Sequence, residues 1–217
     1  QNVYYNSVKV RDGYALYTGY GSLYNTLINN IFESTNAAAA YFYNASVTTS
    51  SDHNDFYTAY AYQISYSGNK TLAQWQSYGQ DPNSVSIDPL NWSPFYDYIY
   101  EGDPDNYMVP LALVLDNLGT PIASITDDMN GNTRSTSTPD MGAMEFTVTG
   151  SPLSGPYTIG SGADADYDSI STALNDLSIY GISGPITFNI QAGTYDDPVV
   201  LGQVYGASAT NTITFQS

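Results

Sequence analysis

The chain has 217 residues, 42% of them hydrophobic, which is enough to bury a sizeable core in one domain or two. Its 21 acidic and four basic side chains give a formal net charge of −17, so nucleic acid and anionic membrane surfaces are excluded as natural partners. Cysteine is absent, which excludes disulfides and thiolate metal sites.

The amino-acid bias indicates an exported protein. The chain contains 22 tyrosines and is rich in Asn, Ser, Thr and Gly but poor in Lys and Glu, a composition typical of secreted all-β proteins. No segment approaches the roughly 20 consecutive apolar residues of a membrane-spanning helix. We therefore expect an extracellular or cell-surface location and no membrane span.

A repeated pattern occupies the first third of the chain. The segments starting at Asn2, Asn30 and Asn54 each show an Asn, then apolar and aromatic positions, then a small polar turn, and their starts lie 28 and 24 positions apart. Short β-rich runs, such as Tyr14–Tyr17, lie between turn-forming clusters. A period in the twenties with several strands predicts a parallel β-helix, and an antiparallel sandwich is the alternative.

Two segments depart from the all-β pattern. Residues 71–78 place Leu72 and Trp75 on one face, which predicts a small helical insert. Residues 169–178 predict a second helix, with Asp168 or Ser169 as the N-cap and an end near Gly181. Its apolar stripe comprises Ile170, Ala173, Leu174 and Leu177.

Strands are predicted after the second helix. The segment starting at Gly184 alternates apolar and polar residues through Ile186, Phe188 and Ile190, as a half-buried strand does. The runs 199–201 and 212–215 repeat this pattern. A helix before such strands would cover the open end of a β-helix and shield its unpaired edge.

The order of the segments indicates a repeat array. Thr138–Phe146 has the character of a closing segment, and Gly155–Gly162 has that of an opening one. We therefore interpret residues 1–147 as the closing rungs of one β-helix unit, 148–155 as a linker, and 156–217 as the helix cap and opening rungs of the next unit. Neighbouring copies, stacked head to tail, are the expected partners.

These segments carry a resemblance to a known family. The opening part (157–164, the Ser169 helix, 184–190, 192–195 and 209–217) and the closing part (Trp75, 80–90, 128–134 and 139–146) resemble right-handed parallel β-helix domains of large secreted repeat proteins in gliding-type Gram-negative bacteria. The resemblance covers nearly the whole chain and implies an exported surface adhesin or structural repeat without a catalytic site. The chain departs from that family in having fewer rungs between opening and closing segments.

Calcium is the candidate small ligand. Asp164, Asp166 and Asp168 place three carboxylates at alternate positions, and the oxygen-bearing residues Asp128, Asn130 and Asn132 surround a glycine turn, which suits the preference of calcium for hard oxygen ligands. Neither segment ends in the bidentate Glu of a complete calcium loop. Helix capping for the first and a polar hairpin turn for the second are the alternatives that the sequence favours.

The tyrosines are too numerous for one core. We expect some rings to form an outer face that binds surface glycans or packs against protein. The candidates are Tyr14, Tyr17, Tyr20, Tyr60 and Tyr62.

Catalysis is the competing interpretation, because parallel β-helices also suit polysaccharide-active enzymes with paired carboxylates. The adjacent acids Asp127 and Asp128, Asp103 and Asp105, and Asp196 and Asp197 are typical of solvated turns, however. His53 has no accompanying nucleophile motif, and Arg134 is the only basic residue placed for lyase chemistry. We therefore predict a non-catalytic structural repeat that forms a rod or filament in adhesion or surface assembly. A polysaccharide-binding or polysaccharide-cleaving domain is the alternative.

Overall fold

The computed structural model describes residues 1–21, 25–44, 48–90, 109–196 and 199–217. It divides into two compact units. Unit 1 comprises Gln1–Pro110 and Leu115–Thr147, and unit 2 comprises Leu111–Val114 and Val148–Ser217. Parallel β-sheets build both units, which confirms the predicted fold class, a parallel β-solenoid with few helices.

Unit 1 contains three stacked coils. Their strands are β1 (Asn2–Tyr4), β2 (Ser7–Val10), β3 (Leu16–Thr18), β4 (Asn25–Ile28), β5 (Ile31–Ser34), β6 (Ala40–Phe42), β7 (Thr48–Asp52), β8 (Asp55–Thr58) and β9 (Ile64–Ser65), followed by β10 (Asn69–Lys70). We call residues 2–18, 25–42 and 48–65 coils 1, 2 and 3. The three sheets have the strand orders β1-β4-β7, β2-β5-β8 and β10-β9-β6-β3, and only the β9–β10 pair is antiparallel.

One left-handed residue turns the chain between the first two strands of each coil. Tyr5, Asn29 and His53 occupy this position, with φ angles of 53°, 61° and 52°. The register pairs Ser7 with Ile31 and Ile31 with Asp55, so the period is 24 residues. The predicted repeat start at Asn2 was therefore wrong. Asn2 lies in β1, opposite Thr26, and the true repeat equivalent of Asn30 is Asn6.

An asparagine ladder follows the bends. The Oδ1 atom of Asn54 accepts hydrogen bonds from the backbone N and from Nδ2 of Asn30, at 3.0 and 2.9 Å. Asn30 accepts the same two bonds from Asn6, at 3.0 and 3.1 Å. Beyond coil 3 the ladder ends on two other side chains: Ser84 Oγ accepts the Asn54 N–H, and Asp81 Oδ1 accepts from Asn54 Nδ2. Stacking thus satisfies the buried polar groups of each bend.

The interior of unit 1 is a stack of apolar side chains. Phe32 of β5 and Phe56 of β8 stack with ring centroids 5.7 Å apart. The predicted helical insert is confirmed as α1 (Leu72–Gln76), which Thr71 and Gln74 begin with a reciprocal capping box. This helix buries Trp75, whose ring stacks on Phe42 at 4.6 Å. Together with the β9–β10 hairpin, α1 covers the end of unit 1 that follows coil 3.

The predicted closing segment packs on the outer face of the β2-β5-β8 sheet. Met141 is buried against Ile31, and the backbone N–H of Ala143 donates to Ser7 Oγ at 2.9 Å. Gly142 lies between these residues with a φ of 86°, and a Cβ atom there would stand 2.5 Å from Ser7 Oγ. Glycine is therefore required where the closing segment meets the sheet. A short 3-10 helix (Leu113–Leu115) precedes this segment.

Unit 2 is a three-stranded parallel sheet with one helix. Its elements are β11 (Leu153–Ile159), α2 (Ile170–Tyr180), β12 (Ile182–Ile190) and β13 (Ile213–Gln216). The sheet order is β11-β12-β13, and β11 begins inside the predicted linker. Helix α2 confirms the second predicted helix: Ser169 caps it and Gly181 ends it. Its buried Ala173, Leu174 and Leu177 pack with Ile159 and Phe188.

One predicted strand of unit 2 does not form. Residues 199–201 lie outside regular structure, and Val200 is 80% exposed. Among the described strands, β13 pairs only with β12, so this apolar run has no neighbouring strand with which to pair. The strand predicted at 212–215 is present as β13.

Candidate functional site

Aromatic side chains cover one surface of unit 1. We define the tyrosine face as Tyr14, Tyr17, Tyr20, Tyr41, Tyr43, Tyr60 and Tyr62. The predicted members Tyr14, Tyr17, Tyr20, Tyr60 and Tyr62 are all exposed, from 38% for Tyr14 to 87% for Tyr20. The face lies on the β3-β6-β9 sheet and its flanking turns, where the 24-residue register aligns the three coils.

Ring contacts organise this face. Tyr17 and its register partner Tyr41 stack with centroids 4.8 Å apart and planes within 8°, and Tyr14 lies 5.3 Å from Tyr41. Tyr20 and Tyr43 meet edge to face at 5.4 Å. The sequence did not indicate Tyr41 and Tyr43 as surface candidates, although the alignment of Tyr17 with Tyr41 follows once the period is fixed at 24.

The acidic segment of unit 2 serves local structure. Asp166 Oδ2 accepts the backbone N–H of Thr158 at 2.7 Å, and Asp168 Oδ1 accepts from Thr172 Oγ1 at 3.0 Å in the first turn of α2. Asp164 is exposed. Asp166 thus bonds to β11 and Asp168 to a side chain of α2, whereas the helix-capping bond to the backbone N–H of Thr172 is made by Ser169.

The second predicted calcium segment is a polar hairpin turn. Asp128 Oδ1 accepts the backbone N–H groups of Asn130 and Asn132, both at 2.8 Å, and Oδ2 accepts from Asn132 Nδ2 and from the backbone N of Glu145. Burial acts to raise the pKa of Asp128, but these hydrogen bonds outweigh it and lower the pKa below 3.8. Both carboxylate oxygens thus already have donors.

The described residues do not bring three or more His, Cys, Asp or Glu side chains together in a group that could hold a metal ion. The calcium sites stay predictions. A shallow cavity of about 480 Å³ lies beside the start of α2 in unit 2. Its lining side chains are Asp166, Tyr167, Ser171, Thr172, Asn175 and Asp176.

Sequence reasoning missed a buried acidic cluster in unit 1. Asp55 is fully buried, with Oδ1 accepting the backbone N–H of Ile87 at 2.9 Å and Oδ2 without a hydrogen-bond partner. Glu33, on the neighbouring strand, pairs with Lys9 at 2.9 Å, and Asp88 accepts from Tyr57 Oη at 2.7 Å. Burial raises the pKa of Asp55 well above 3.8, and the charges of Glu33 and Asp88 add to the rise.

Replacing Asp55 with asparagine is expected to stabilise unit 1 at neutral pH and to flatten its pH dependence. The folded state retains a proton on Asp55 that the unfolded chain releases near about pH 4. The contribution of Asp55 to stability is therefore fully present below about pH 4, and it is lost as the pH rises through the pKa of Asp55 in the folded state. Burial raises the pKa of Asp140 to about 7, although hydrogen bonds from the backbone N–H groups of Phe146 and Asn117 act to lower it. Asp140 therefore adds a second loss of stability as the pH rises.

The measurement is the free energy of urea unfolding at pH 5 and pH 8. Wild type should be less stable at pH 8, and Asp55→Asn should recover about 1.4 kcal/mol for each unit by which the pKa is raised. Asp127→Asn, which removes the same charge from an exposed position, should change little. Equal pH slopes for wild type and Asp55→Asn would show that Asp55 does not titrate differently in the folded state.

The residues considered for catalysis have structural positions. His53 is the left-handed bend residue of coil 3, with Nδ1 3.3 Å from Asp52. Arg134 is 4% exposed and forms a 2.8 Å ion pair with Glu145 inside unit 1. Of the adjacent acid pairs, Asp103 and Asp105 lie outside the described residues, as does Asp197.

Neither α-helix in the described part of the chain has the length and apolar character needed to cross a membrane. No protein-family model matches this sequence, and comparisons with curated proteins and with solved structures give no significant match. The resemblance to β-helix repeats of secreted surface proteins stays a prediction.

Proposed function

We propose that this chain is a non-catalytic structural element of an exported protein, which assembles head to tail through the exposed end of coil 1. The carrying observation concerns the described strands of unit 1, among which β1, β2 and β3 of coil 1 each pair on one side only. On the other side of the stack, residues 81–85 hydrogen-bond to the backbone of coil 3 at Ser51, Asn54 and Phe56, and α1 buries Trp75 in the core.

The apolar interior supports this proposal. Val3, Val8 and Leu16 of coil 1 are half-buried, whereas their register partners Leu27, Phe32 and Ala40 are buried in coil 2. Stacking one more coil on this end would remove the exposed part of these side chains from water, which is favourable by about 25 cal/mol per Å². It would also pair the free strand edges, which otherwise invite association.

The asparagine ladder defines what fits this end. Asn6 donates to Tyr4 O and Asn30 Oδ1, but its own Oδ1 accepts no hydrogen bond from the described residues. In coils 2 and 3 the equivalent atom accepts two bonds from the preceding Asn. A coil supplied by a neighbouring copy, with an amide or hydroxyl donor at the ladder position, would extend the series. In unit 2, β13 pairs only with β12 among the described strands, and Gln216 of β13 donates to Asn189 Oδ1 of β12 at 2.8 Å.

The proposal predicts concentration-dependent assembly that Val8→Lys abolishes. At an open end the lysine can extend its ammonium group into water, so the folded unit tolerates it, whereas a stacked coil would bury the charge at a cost of several kcal/mol. Analytical ultracentrifugation and negative-stain electron microscopy should show linear assemblies for wild type, favoured by salt because each copy carries a charge of −17, and single particles for Val8→Lys.

Val200→Lys is the matched control, because Val200 is 80% exposed in unit 2, and it should assemble like wild type. Circular dichroism must show the same thermal transition for both lysine variants. A wild type that stays monomeric at high concentration and high salt, or a Val8→Lys variant that assembles normally, would refute the proposal. The extracellular location is proposed from the composition, and detection of the native protein on intact cells would test it.

A further inference from the structure

We propose that the tyrosine face is a binding site for a neutral polysaccharide, a function that goes beyond head-to-tail assembly and rests on a different surface. The face is continuous across three coils. Tyr14 and Tyr62 occupy the same position in coils 1 and 3, with Ala38 between them in coil 2, as the 24-residue register requires. Since neighbouring strands are about 4.8 Å apart, these two positions are separated by about 10 Å along the stack.

The face carries no charge. Residues 13–21, 37–44 and 59–65, which form it, contain no Asp, Glu, Lys or Arg, although the chain has 25 such residues, 21 acidic and four basic. A ligand that depends on ion pairs therefore has no partner on this surface. An anionic polymer would also be repelled by the overall charge of −17. Neutral chemistry is the class that this surface fits.

Two rings of the tyrosine face are exposed enough to contact a sugar. Tyr60 and Tyr62 are 55% and 41% exposed and have no aromatic ring partner among the described residues, so part of each ring is accessible to a ligand. The C–H groups of a pyranose ring are attracted to the negative face of an aromatic ring, while the phenol hydroxyls can exchange hydrogen bonds with sugar hydroxyls. Tyr17 and Tyr41, on β3 and β6 of the same sheet, stack on each other.

A neutral glycan fits this surface better than a second copy of the chain does. Lateral packing of two copies through the face would bring two charges of −17 together. In contrast to the coil end, the β3-β6-β9 sheet face offers side chains and no free strand edge to offset that repulsion. An exposed aromatic patch of this kind on a strongly charged protein marks an interaction site.

The test is affinity gel electrophoresis in gels that contain hydroxyethyl cellulose, galactomannan or, as the anionic comparison, polygalacturonate. Wild type should be retarded by at least one neutral polymer and not by polygalacturonate. Combined substitution of Tyr20→Ala, Tyr60→Ala and Tyr62→Ala should weaken the apparent affinity by at least about tenfold, because it removes three of the exposed rings on which sugar units can stack. These three rings are each more than 40% exposed, so the fold should be retained, as thermal melting will check.

The control is Tyr78→Ala combined with Tyr205→Ala, since these tyrosines are 53% and 54% exposed outside the face; it should be retarded like wild type. Running the gels in the Val8→Lys background separates glycan binding from assembly. The proposal fails if no neutral polymer retards the protein or if the triple variant is retarded equally. It also fails if the triple substitution leaves gel retardation unchanged and alters only the sedimentation of the otherwise wild-type chain, because the face is then a contact between copies.

Discussion

Replacing Asn54 with alanine is expected to lower the free energy of unfolding of unit 1 by about 3–5 kcal/mol. Asn54 is fully buried. Its Oδ1 atom accepts two bonds from Asn30, and its Nδ2 atom donates to Leu27 O at 2.9 Å and to Asp81 Oδ1 at 3.1 Å. Alanine would leave the buried backbone N–H of Asn30 without this acceptor and would remove one donor each from Leu27 O and from Asp81 Oδ1, which still accepts from Ser51 and Ser84. Each buried group left unpaired costs about 1–3 kcal/mol.

The measurement is urea unfolding followed by tryptophan fluorescence, because Trp75 lies in the core of unit 1. Asn36→Ala is the control: Asn36 is exposed and donates only to Asp12, so we expect a change of less than about 0.5 kcal/mol. Asn54→Asp should be as damaging as alanine at neutral pH, since it places a second carboxylate beside the buried Asp81. A loss of less than about 1 kcal/mol for Asn54→Ala would mean that water replaces the ladder.

The ladder also shows how far the sequence leads. The predicted 24-residue interval from Asn30 to Asn54 was correct. The first repeat was misaligned because Asn2 and Asn6 both precede apolar or aromatic residues, and only the pairing of Ser7 with Ile31 chooses between them. A four-residue alignment error of this kind is invisible to composition, because both registers begin the repeat with an asparagine.

The buried acids could not be predicted for a different reason. Alternation along a strand assigns one side chain to the interior and the next to solvent, and Glu33 and Asp55 lie on the side that should face water. Segments later in the chain cover that side: the backbone N–H of Ile87 bonds to Asp55, and Met141 of the closing segment packs on the neighbouring Ile31. Burial of Glu33 and Asp55 is thus a consequence of tertiary packing. The same long-range dependence explains residues 199–201, whose apolar pattern needs a neighbouring strand to become a strand.

The helices were predicted well because their signals are local. Thr71 and Ser169 each provide a capping oxygen to the backbone N–H three residues later, and the apolar spacing of Leu72 and Trp75 lies within one turn. The exposed tyrosines were predicted only from the large number of tyrosines in the chain. Their alignment on one face depends on the register between coils, which a single segment of sequence does not reveal.

Replacing Arg134 with methionine is expected to destabilise unit 1 by about 3–5 kcal/mol, because it removes one partner of a buried ion pair. The Arg134 guanidinium donates to Glu145 Oε1 at 2.8 Å and to the carbonyl oxygens of Gly142 and Ala143 at 3.1 and 3.0 Å. Its Cζ atom also lies 3.9 Å from the centre of the Tyr5 ring. These contacts tie the closing segment to the first bend of the solenoid.

The comparison of Arg134→Met with Arg11→Met separates this role from a general charge effect. Arg11 is exposed, so its loss should cost less than about 0.5 kcal/mol. The cost at Arg134 should persist in 1 M salt, because buried pairs are screened much less than surface pairs. Adding Glu145→Gln to Arg134→Met should recover part of the loss, since the carboxylate would otherwise stay buried without its cation. Glu145 also accepts the backbone N–H groups of Asp140 and Ser135, so that recovery should be incomplete.

If Arg134→Met unfolds like wild type, the ion pair between Arg134 and Glu145 does not hold the closing segment in place. The Arg134 guanidinium is then available to bind a ligand. If the variant is destabilised as expected, limited proteolysis should cut residues 115–147 before the coils, because that segment packs on the sheet through few apolar side chains and depends on these hydrogen bonds. Cleavage within residues 115–147 ahead of the coils would establish that the contacts of Arg134 hold the closing segment on the sheet.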